Sequence, residues 1–251
     1  MGIAFGYGWG SGQTGNPLRQ FLEATGITDE TQKQAVTDLY NSLKSAGLWS
    51  KMEAIYPIVG GTHESHRWNL KNVFKHTIEW GGTETHSAQG FIPYSAMPKF
   101  NINALDAAMG VEKSFHASMY SRNDLSFGDN FYDWGKYPAV PPMTGGEIRY
   151  TDNKTYFDMN GTRISRIIST ATRLIVFNNL SGMSLYRDGV SLGSTASNPA
   201  IPDVYLRMNP YGMNLTRQYA FISFGQGLTG TEVESLNTIV NTYQTSLGRA
   251  V

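Results

Sequence analysis

The residues with the most obvious chemical potential are the five histidines, two of which stand close together in Gly61-Thr62-His63-Glu64-Ser65-His66. A helical zinc site of the His-Glu-x-x-His type needs histidines four residues apart, so that both lie on one helix face. His63 and His66 are three apart in a glycine-flanked stretch, which predicts solvent-exposed loop histidines rather than a helix. His76 and His86 would have to join them through the fold, so the spacing alone predicts no metal site.

Paired carboxylates would be a second route to chemistry, because a glycosidase needs two acids facing one cleft. Glu147 stands alone in its predicted strand, and Glu232 and Glu234 fall at a helix start, where capping explains them. The sequence also contains no Gly-x-Ser-x-Gly elbow, no phosphate-binding loop and no dinucleotide fingerprint. Asn160-Gly161-Thr162 matches a glycosylation acceptor, but we interpret it as a tight turn. We therefore expect a protein that is not an enzyme.

An aromatic segment, Phe127–Pro138, is the best candidate for a contact surface. It places five aromatic residues among glycine, aspartate, asparagine and proline, and a simple linker does not need them. Aromatic rings beside Asp and Asn suit the stacking of sugar rings and the bonding of their hydroxyls, and they suit a protein interface equally well. A long loop folded back on the core is the third interpretation. The candidate ligand-binding residues are Phe131, Tyr132, Trp134 and Tyr137.

Composition narrows the class of protein that must position these residues. The 251 residues include 20 basic and 20 acidic side chains, for a net charge of zero without runs of like charge, so we expect neither nucleic acid nor an anionic membrane as partner. No stretch reaches the 18 apolar residues of a membrane span, and the first residues lack the pattern of a Sec-type signal. The absence of cysteine excludes disulfides and thiolate chemistry. Low charge with 27 glycines and 12% aromatic residues favours a turn-rich, mainly β protein.

Helix signals occur at the two ends of the chain. Asn16-Pro17 predicts the start of a first helix, which ends near Gly26. Thr28-Asp29-Glu30 predicts the start of a second helix, which ends at Gly47. Thr229-Gly230-Thr231-Glu232 fits a capping box ahead of a closing helix with one apolar stripe.

Strand signals dominate from residue 54 to residue 224, and they predict an antiparallel sandwich or jelly roll. The clearest is Ser184–Gly193, where Asp188-Gly189 predicts a type I′ hairpin that pairs Arg187 with Val190 and Leu185 with Leu192. Further strands are predicted at residues 54–61, 77–80, 114–121, 146–151, 154–159, 174–178, 204–208 and 217–224.

The first 16 residues alternate glycine with large apolar residues and do not suit a helix. Phe5, Tyr7 and Trp9 recur with period two, so an extended arm would present all three on one side. Two interpretations remain open, a disordered terminus and an assembly arm that docks on a neighbouring subunit.

Several segments resemble a family of bacteriophage virion proteins with a concanavalin A-like, laminin-G-like jelly roll. The resemblance covers residues 17–251, more loosely between 85 and 165, and is carried by Phe21–Thr28, Leu43–Met52, Ala54–Thr62, His66–Lys71, Ser184–Val190 and Phe221–Arg249. It implies a mainly β jelly-roll sandwich with N-terminal helices and a C-terminal helix. The implied organisation is an arm at 1–16, a helical segment at 17–53 and a sandwich at 54–251 closed by its helix.

The same resemblance implies a non-enzymatic structural protein of the virion, in a tail, baseplate, fibre or head-decoration position. Its partners would be other virion proteins, further copies of itself and host-surface carbohydrate, without nucleic acid or membrane insertion. Laminin-G-like domains often hold calcium, so calcium stays open, although no ligand set can be assigned. The alternatives are a glycan-processing enzyme on the same fold and a free lectin.

Overall fold

The computed structural model describes residues 15–128 and 131–251, so Phe5, Tyr7 and Trp9 of the proposed assembly arm lie outside the described residues. Helices occupy a small part of this chain. They are α1 (Pro17–Thr25), α2 (Glu30–Ser45), the one-turn α3 (His63–His66), the one-turn α4 (Ala104–Ala107) and α5 (Gly230–Ser246), with a 3-10 turn at Leu48–Lys51.

Two antiparallel sheets form the body of the molecule. Their strands are β1 (Met52–Tyr56), β2 (Thr85–Ser87), β3 (Gly90–Ile92), β4 (Lys99–Asn103), β5 (Phe115–Ser121), β6 (Trp134–Lys136), β7 (Gly145–Glu147), β8 (Lys154–Met159), β9 (Thr162–Ile167), β10 (Arg173–Asn179), β11 (Met183–Arg187), β12 (Val190–Ser194), β13 (Tyr205–Met208) and β14 (Tyr219–Gly225). The first sheet has the order β12-β11-β10-β5-β14-β3-β2, with β1 also paired to β14, and the second has the order β4-β13-β6-β7-β8-β9. The chain is therefore a mainly β sandwich, as its sequence predicts.

The main core lies between the two sheets and is rich in aromatic rings. Trp134 of the second sheet packs against Phe115 and Phe177 of the first, with ring centroids 5.5 and 5.7 Å apart. Phe157 and Phe224 complete this cluster, and both are fully buried. Alternation along each strand sends one set of side chains into this core and the other set to the outer face of its sheet.

The outer face of the first sheet is covered by helices, which form a second core. Val36 and Leu43 of α2 and Val233 and Val240 of α5 pack with sheet residues such as Val176 in one buried cluster. The outer face of the second sheet carries no such layer of described helices, so its side chains are available to line a surface site.

The predicted helix ends are confirmed by their caps. The Asn16 side chain accepts a hydrogen bond from the Leu18 amide at the start of α1, and Gly26 ends that helix in the left-handed conformation. Asp29 caps α2. At α5, Thr229 and Glu232 form the reciprocal capping box that their spacing predicts.

The Ser184–Gly193 hairpin is confirmed with one correction. Asp188 and Gly189 both have positive φ, and Arg187 pairs with Val190 across the turn. However, Leu185 pairs with Gly193 rather than with Leu192, because the register shifts by one residue beyond Tyr186. A β-bulge of this kind adds one residue to a strand.

Some strand predictions are wrong in length, one predicted strand does not form, and several strands were not predicted. Residues 77–80 form no strand and contribute only an isolated bridge from Glu79 to Lys99. The strand predicted at 146–151 is the shorter β7, and β2, β3, β4, β6 and β9 were not predicted. The boundary at residues 53 and 54 falls inside β1, whose pairing with β14 places it in the first sheet. Within the described part of the chain, no helix is both long and apolar enough to cross a membrane.

Candidate functional site

The most concentrated polar and aromatic surface lies on the open outer face of the second sheet. Along β8, Thr155, Phe157 and Met159 are fully buried, while the intervening Tyr156 and Asp158 project to the outer face. The pairing register places Tyr156 opposite Glu147 of β7 and Asp158 opposite Arg163 of β9. Three adjacent strands therefore bring two acids, an arginine and a tyrosine to one surface.

Glu147, Tyr156 and Arg163 line an open pocket of about 670 Å³, here called the outer-face pocket. Its wall combines aromatic rings, one acid, one arginine and small apolar groups. The lining residues are Phe131, Tyr132, Ala139, Pro141, Met143, Glu147, Tyr150, Tyr156, Arg163 and Tyr211.

Tyr132 is held in the pocket wall by contacts on its ring and on its hydroxyl. A Cβ at Gly145 would lie 2.7 Å from Tyr132 Cδ1, so the glycine gives the ring its place against β7. The hydroxyl donates to Asp158 Oδ2 and accepts from Arg163 Nη2 at 3.0 Å. The ring lies nearly parallel to that of Tyr211, with centroids 5.9 Å apart.

Asp158 is bound on both of its oxygens. Arg163 donates from Nε to Oδ1 at 2.8 Å and from Nη2 to Oδ2 at 2.9 Å, which is the bidentate geometry of a strong arginine–carboxylate pair. The Asp158 carboxylate raises the pKa of Arg163 above its ordinary value. Both groups are therefore already paired before any ligand arrives.

Glu147 is the acid that lines the pocket. The residue is only 5% exposed, and Oε1 has no hydrogen-bond partner among the described residues. Burial, followed by the neighbouring Asp133 carboxylate, raises the pKa of Glu147 to about 9. The side chain is therefore a neutral carboxylic acid at pH 7, and such a group can donate as well as accept a hydrogen bond.

Beneath the pocket, Asp133 anchors the aromatic segment to both sheets. Arg217 donates from Nε to Asp133 Oδ1 at 2.7 Å, and both side chains are fully buried. The Tyr219 hydroxyl donates to the same oxygen, and the Ile148 amide donates to Oδ2 at 2.6 Å. A buried ion pair with both carboxylate oxygens hydrogen-bonded holds Asp133 in place beside Phe131 and Tyr132.

The candidate ligand-binding residues separate into three places. Phe131 and Tyr132 line the outer-face pocket. Trp134 is 0% exposed in the core between the sheets, so the expectation that it contacts a ligand at the surface is corrected. Tyr137 is 44% exposed but lies outside the pocket, where the Arg207 guanidinium stands 4.0 Å from its ring centroid.

The sequence does hold a local signal for some of the pocket residues that were not predicted. Tyr156 and Arg163 lie on the two arms of a hairpin whose turn is Asn160-Gly161, and both turn residues have positive φ. That dipeptide fixes the register of a two-residue hairpin, so it already placed Asp158 opposite Arg163. Tyr211 comes from a loop distant in sequence and carried no local signal.

The histidine stretch departs from prediction in two respects. His63–His66 is one turn of helix, started by a capping box between Thr62 and Ser65, and His66 is buried rather than exposed in a loop. His66 Nδ1 lies 3.0 Å from His86 Nδ1, so residues distant in sequence do meet. In the described part of the chain, however, no group of three or more histidine or acidic residues is placed to hold a metal ion.

Comparison with known proteins gives likeness in structure only. No protein-family model and no curated protein matches the sequence. The receptor-binding domain of botulinum neurotoxin mosaic serotype C/D is similar with a TM-score of 0.53 and 10% identity, over 76% of this chain and 51% of that one. Domain 4 of a GH43 extracellular arabinanase from Geobacillus stearothermophilus, in complex with arabinotriose, has a TM-score of 0.50 and 12% identity, over 74% and 98%.

A third similar structure is the Trypanosoma rangeli sialidase in complex with 2,3-difluorosialic acid. Its TM-score is 0.51 with 7% identity, over 82% of this chain and 38% of that one. The chain thus spans about half of the neurotoxin domain and less than half of the sialidase. At these identities the comparisons establish the fold, a jelly-roll type of β-sandwich that occurs in both binding domains and enzymes.

Proposed function

We propose that this chain is a non-enzymatic carbohydrate-binding domain and that the outer-face pocket holds the sugar. The observation that carries the proposal is the make-up of the pocket wall, where five aromatic rings surround one buried carboxyl group and one guanidinium. Aromatic rings offer apolar faces, and tyrosine hydroxyls and convergent polar groups fix orientation. This combination matches a sugar, which has apolar ring faces and a rim of hydroxyls.

The state of the acids supports binding over hydrolysis. A two-carboxylate glycosidase keeps one acid ionised while the other holds a proton. Here Asp158 is occupied by Arg163 and Tyr132, and Asp133 is enclosed beneath the pocket by Arg217. Among the described acids, only Glu147 lines the pocket. One protonated acid can orient a ligand, but it cannot act as both acid and nucleophile.

The structural neighbours are consistent with this proposal at the level of the fold. The arabinanase domain is in complex with arabinotriose, and the sialidase is in complex with a sialic acid derivative. The same sandwich therefore occurs in other proteins that meet sugars, although fold alone does not decide function.

We further propose, from the sequence resemblance, that the domain is displayed on a phage particle and binds host-surface glycans there. Other virion proteins and further copies of this chain would be its partners, contacted in part by Phe5, Tyr7 and Trp9 of the arm. Mass spectrometry of purified particles tests this location. Absence of the protein from the particles would contradict the virion role and leave sugar binding untouched.

Sugar binding itself is tested by glycan-array screening followed by titration calorimetry on pocket variants. Tyr156→Ala removes a ring that the pocket exposes, and we expect affinity for the best glycan to fall about tenfold. Tyr205→Ala is the matched control, since Tyr205 is 65% exposed on β13 and lies outside the pocket. Equal binding by wild type and Tyr156→Ala, with circular dichroism showing both folded, would contradict the proposed site.

A further inference from the structure

Glu147 has a position that a purely structural acid would not need. It ends β7 with its backbone paired to Tyr156, and its carboxyl group forms part of the pocket wall. The residue is 95% buried, yet Oε1 meets no donor or acceptor among the described residues. A buried polar group without a hydrogen-bond partner destabilises the fold, and a hydrogen bond between the Glu147 carboxyl group and a ligand would offset that cost.

The charged side chains on the elements around Glu147 form ion pairs with one another. The Arg217 guanidinium below is paired with Asp133 at 2.7 Å, and Arg163 on β9 is paired with Asp158 at 2.8 Å. At the rim, Lys154 is paired with Asp152 at 2.9 Å. No cation among these is left over to balance an ionised Glu147, and burial raises its pKa accordingly.

We infer that Glu147 works as a protonated acid whose hydroxyl donates a hydrogen bond to an acceptor oxygen of a bound, uncharged sugar. This inference rests on the proposed function and names its ligand class. A ring oxygen, a hydroxyl or an acetamido carbonyl can accept such a bond. A sugar carboxylate or sulfate would bring a charge into a pocket where each facing cation already has its own acid, so acidic sugars are disfavoured.

The test compares three forms of the full chain by titration calorimetry between pH 6 and pH 10. The probes are two uncharged oligosaccharides, arabinotriose and chitotriose, and two acidic ones, sialyllactose and trigalacturonate, with the best array glycan added. For wild type we expect binding to uncharged probes only, steady to about pH 8 and about tenfold weaker at pH 10, where Glu147 is ionised.

Two substitutions separate the effect of the hydrogen-bond donor of Glu147 from the effect of its negative charge. In E147Q the amide still donates but cannot ionise, so we expect about threefold weaker binding at pH 7 and no decline toward pH 10. In E147L the donor is lost, and we expect binding about tenfold weaker than that of wild type at pH 7, with no change between pH 6 and pH 10. Glu112→Gln is the matched control, because Glu112 is exposed and lies outside the pocket.

The outcomes distinguish the two levels of the proposal. If no probe or array glycan binds wild type at any pH, sugar binding fails and this inference falls with it. The role of Glu147 is overturned, and the site stands, if a sugar binds through Tyr156 but its affinity for E147Q declines with pH as it does for wild type. The same conclusion follows if E147L binds the sugar as well as wild type does at pH 7. Preferential binding of sialyllactose or trigalacturonate overturns the ligand class.

Discussion

Glu147 also makes a prediction that needs no ligand, because its ionisation is linked to folding. Its pKa is about 9 in the fold and 4.5 as the ordinary value, so the native state holds one proton more than the unfolded state between these limits. The contribution of Glu147 to stability is then fully present below pH 4.5 and falls with rising pH until about pH 9. The slope is about 1.4 kcal/mol per pH unit, or about 2.7 kcal/mol between pH 6 and pH 8.

The assay is urea unfolding of wild type and Glu147→Gln at several pH values, followed by tryptophan fluorescence. Glutamine has the shape of the protonated acid and cannot ionise, so we expect its contribution to stability to be independent of pH. Between pH 6 and pH 8 the stability of the variant relative to wild type should therefore rise by about 2.7 kcal/mol, since histidines and other groups titrate alike in both. Glu112→Gln serves as the control, because this exposed side chain should leave the pH profile unchanged.

Parallel pH profiles for wild type and Glu147→Gln would refute this reasoning. They would mean that Glu147 is ionised in the native state, and therefore that water or a mobile cation reaches its carboxyl group. The charge balance drawn around the outer-face pocket would then be wrong, and the preference for uncharged sugars would lose its basis. A change in the m-value alone would point instead to altered compactness.

Three further predictions concern the surroundings of the pocket and the histidine pair. Asp133→Asn leaves the Arg217 cation buried without its carboxylate and should lower the free energy of unfolding by about 3 kcal/mol in urea titrations. Gly145→Ala places a Cβ 2.6 Å from the Trp134 carbonyl oxygen and 2.7 Å from the Tyr132 ring, so we expect about 1–3 kcal/mol of destabilisation together with weaker sugar binding. Burial lowers the pKa of His86 to about 4, and its ring protons should titrate near that value by NMR; a midpoint near 6.5 would contradict its packing.

The features that the sequence predicted well are those that a few neighbouring residues decide. The cap at Asn16 and the capping box at Thr229 each depend on side chains within three residues of the helix start. The two-residue turns at Asp188-Gly189 and Asn160-Gly161 depend on backbone conformations that these residue types favour. Such signals need no knowledge of the rest of the fold.

The bulge in the Ser184–Gly193 hairpin could not be predicted from the residues of the hairpin alone. Gly193 has a φ of 135°, and a Cβ there would lie 2.3 Å from Arg166 Nε. Arg166 comes from β9 in the other sheet and donates from Nη2 to the Ser194 carbonyl at 2.6 Å. The register shift beside Leu185 therefore accompanies a tertiary contact between sheets, which the sequence of the hairpin could not reveal. Leu192 still packs against the main core despite the shift.

The histidines illustrate the same limit through an unexpected pairing. The Gly61 amide donates to His66 Nε2 at 3.2 Å, so the proton of His66 belongs on Nδ1, which faces His86 Nδ1. His86 must then carry its own proton on Nε2, which has no partner among the described residues. Both rings are therefore neutral, as burial also requires. The spacing of the histidines in the sequence could not place His86 beside His66.

Two adjacent glycines explain why one predicted aromatic residue faces the pocket and another does not. A Cβ at Gly146 would lie 2.4 Å from Trp134 Nε1, so the missing side chain on the inner face of β7 makes room for the indole. A Cβ at Gly145 would strike the Tyr132 ring on the outer face. Because successive residues of a strand face opposite ways, Gly145-Gly146 accepts one aromatic residue on each side. The next residue, Glu147, then faces the pocket as Gly145 does, so the same dipeptide that sends Trp134 into the core places the acid beside Tyr132.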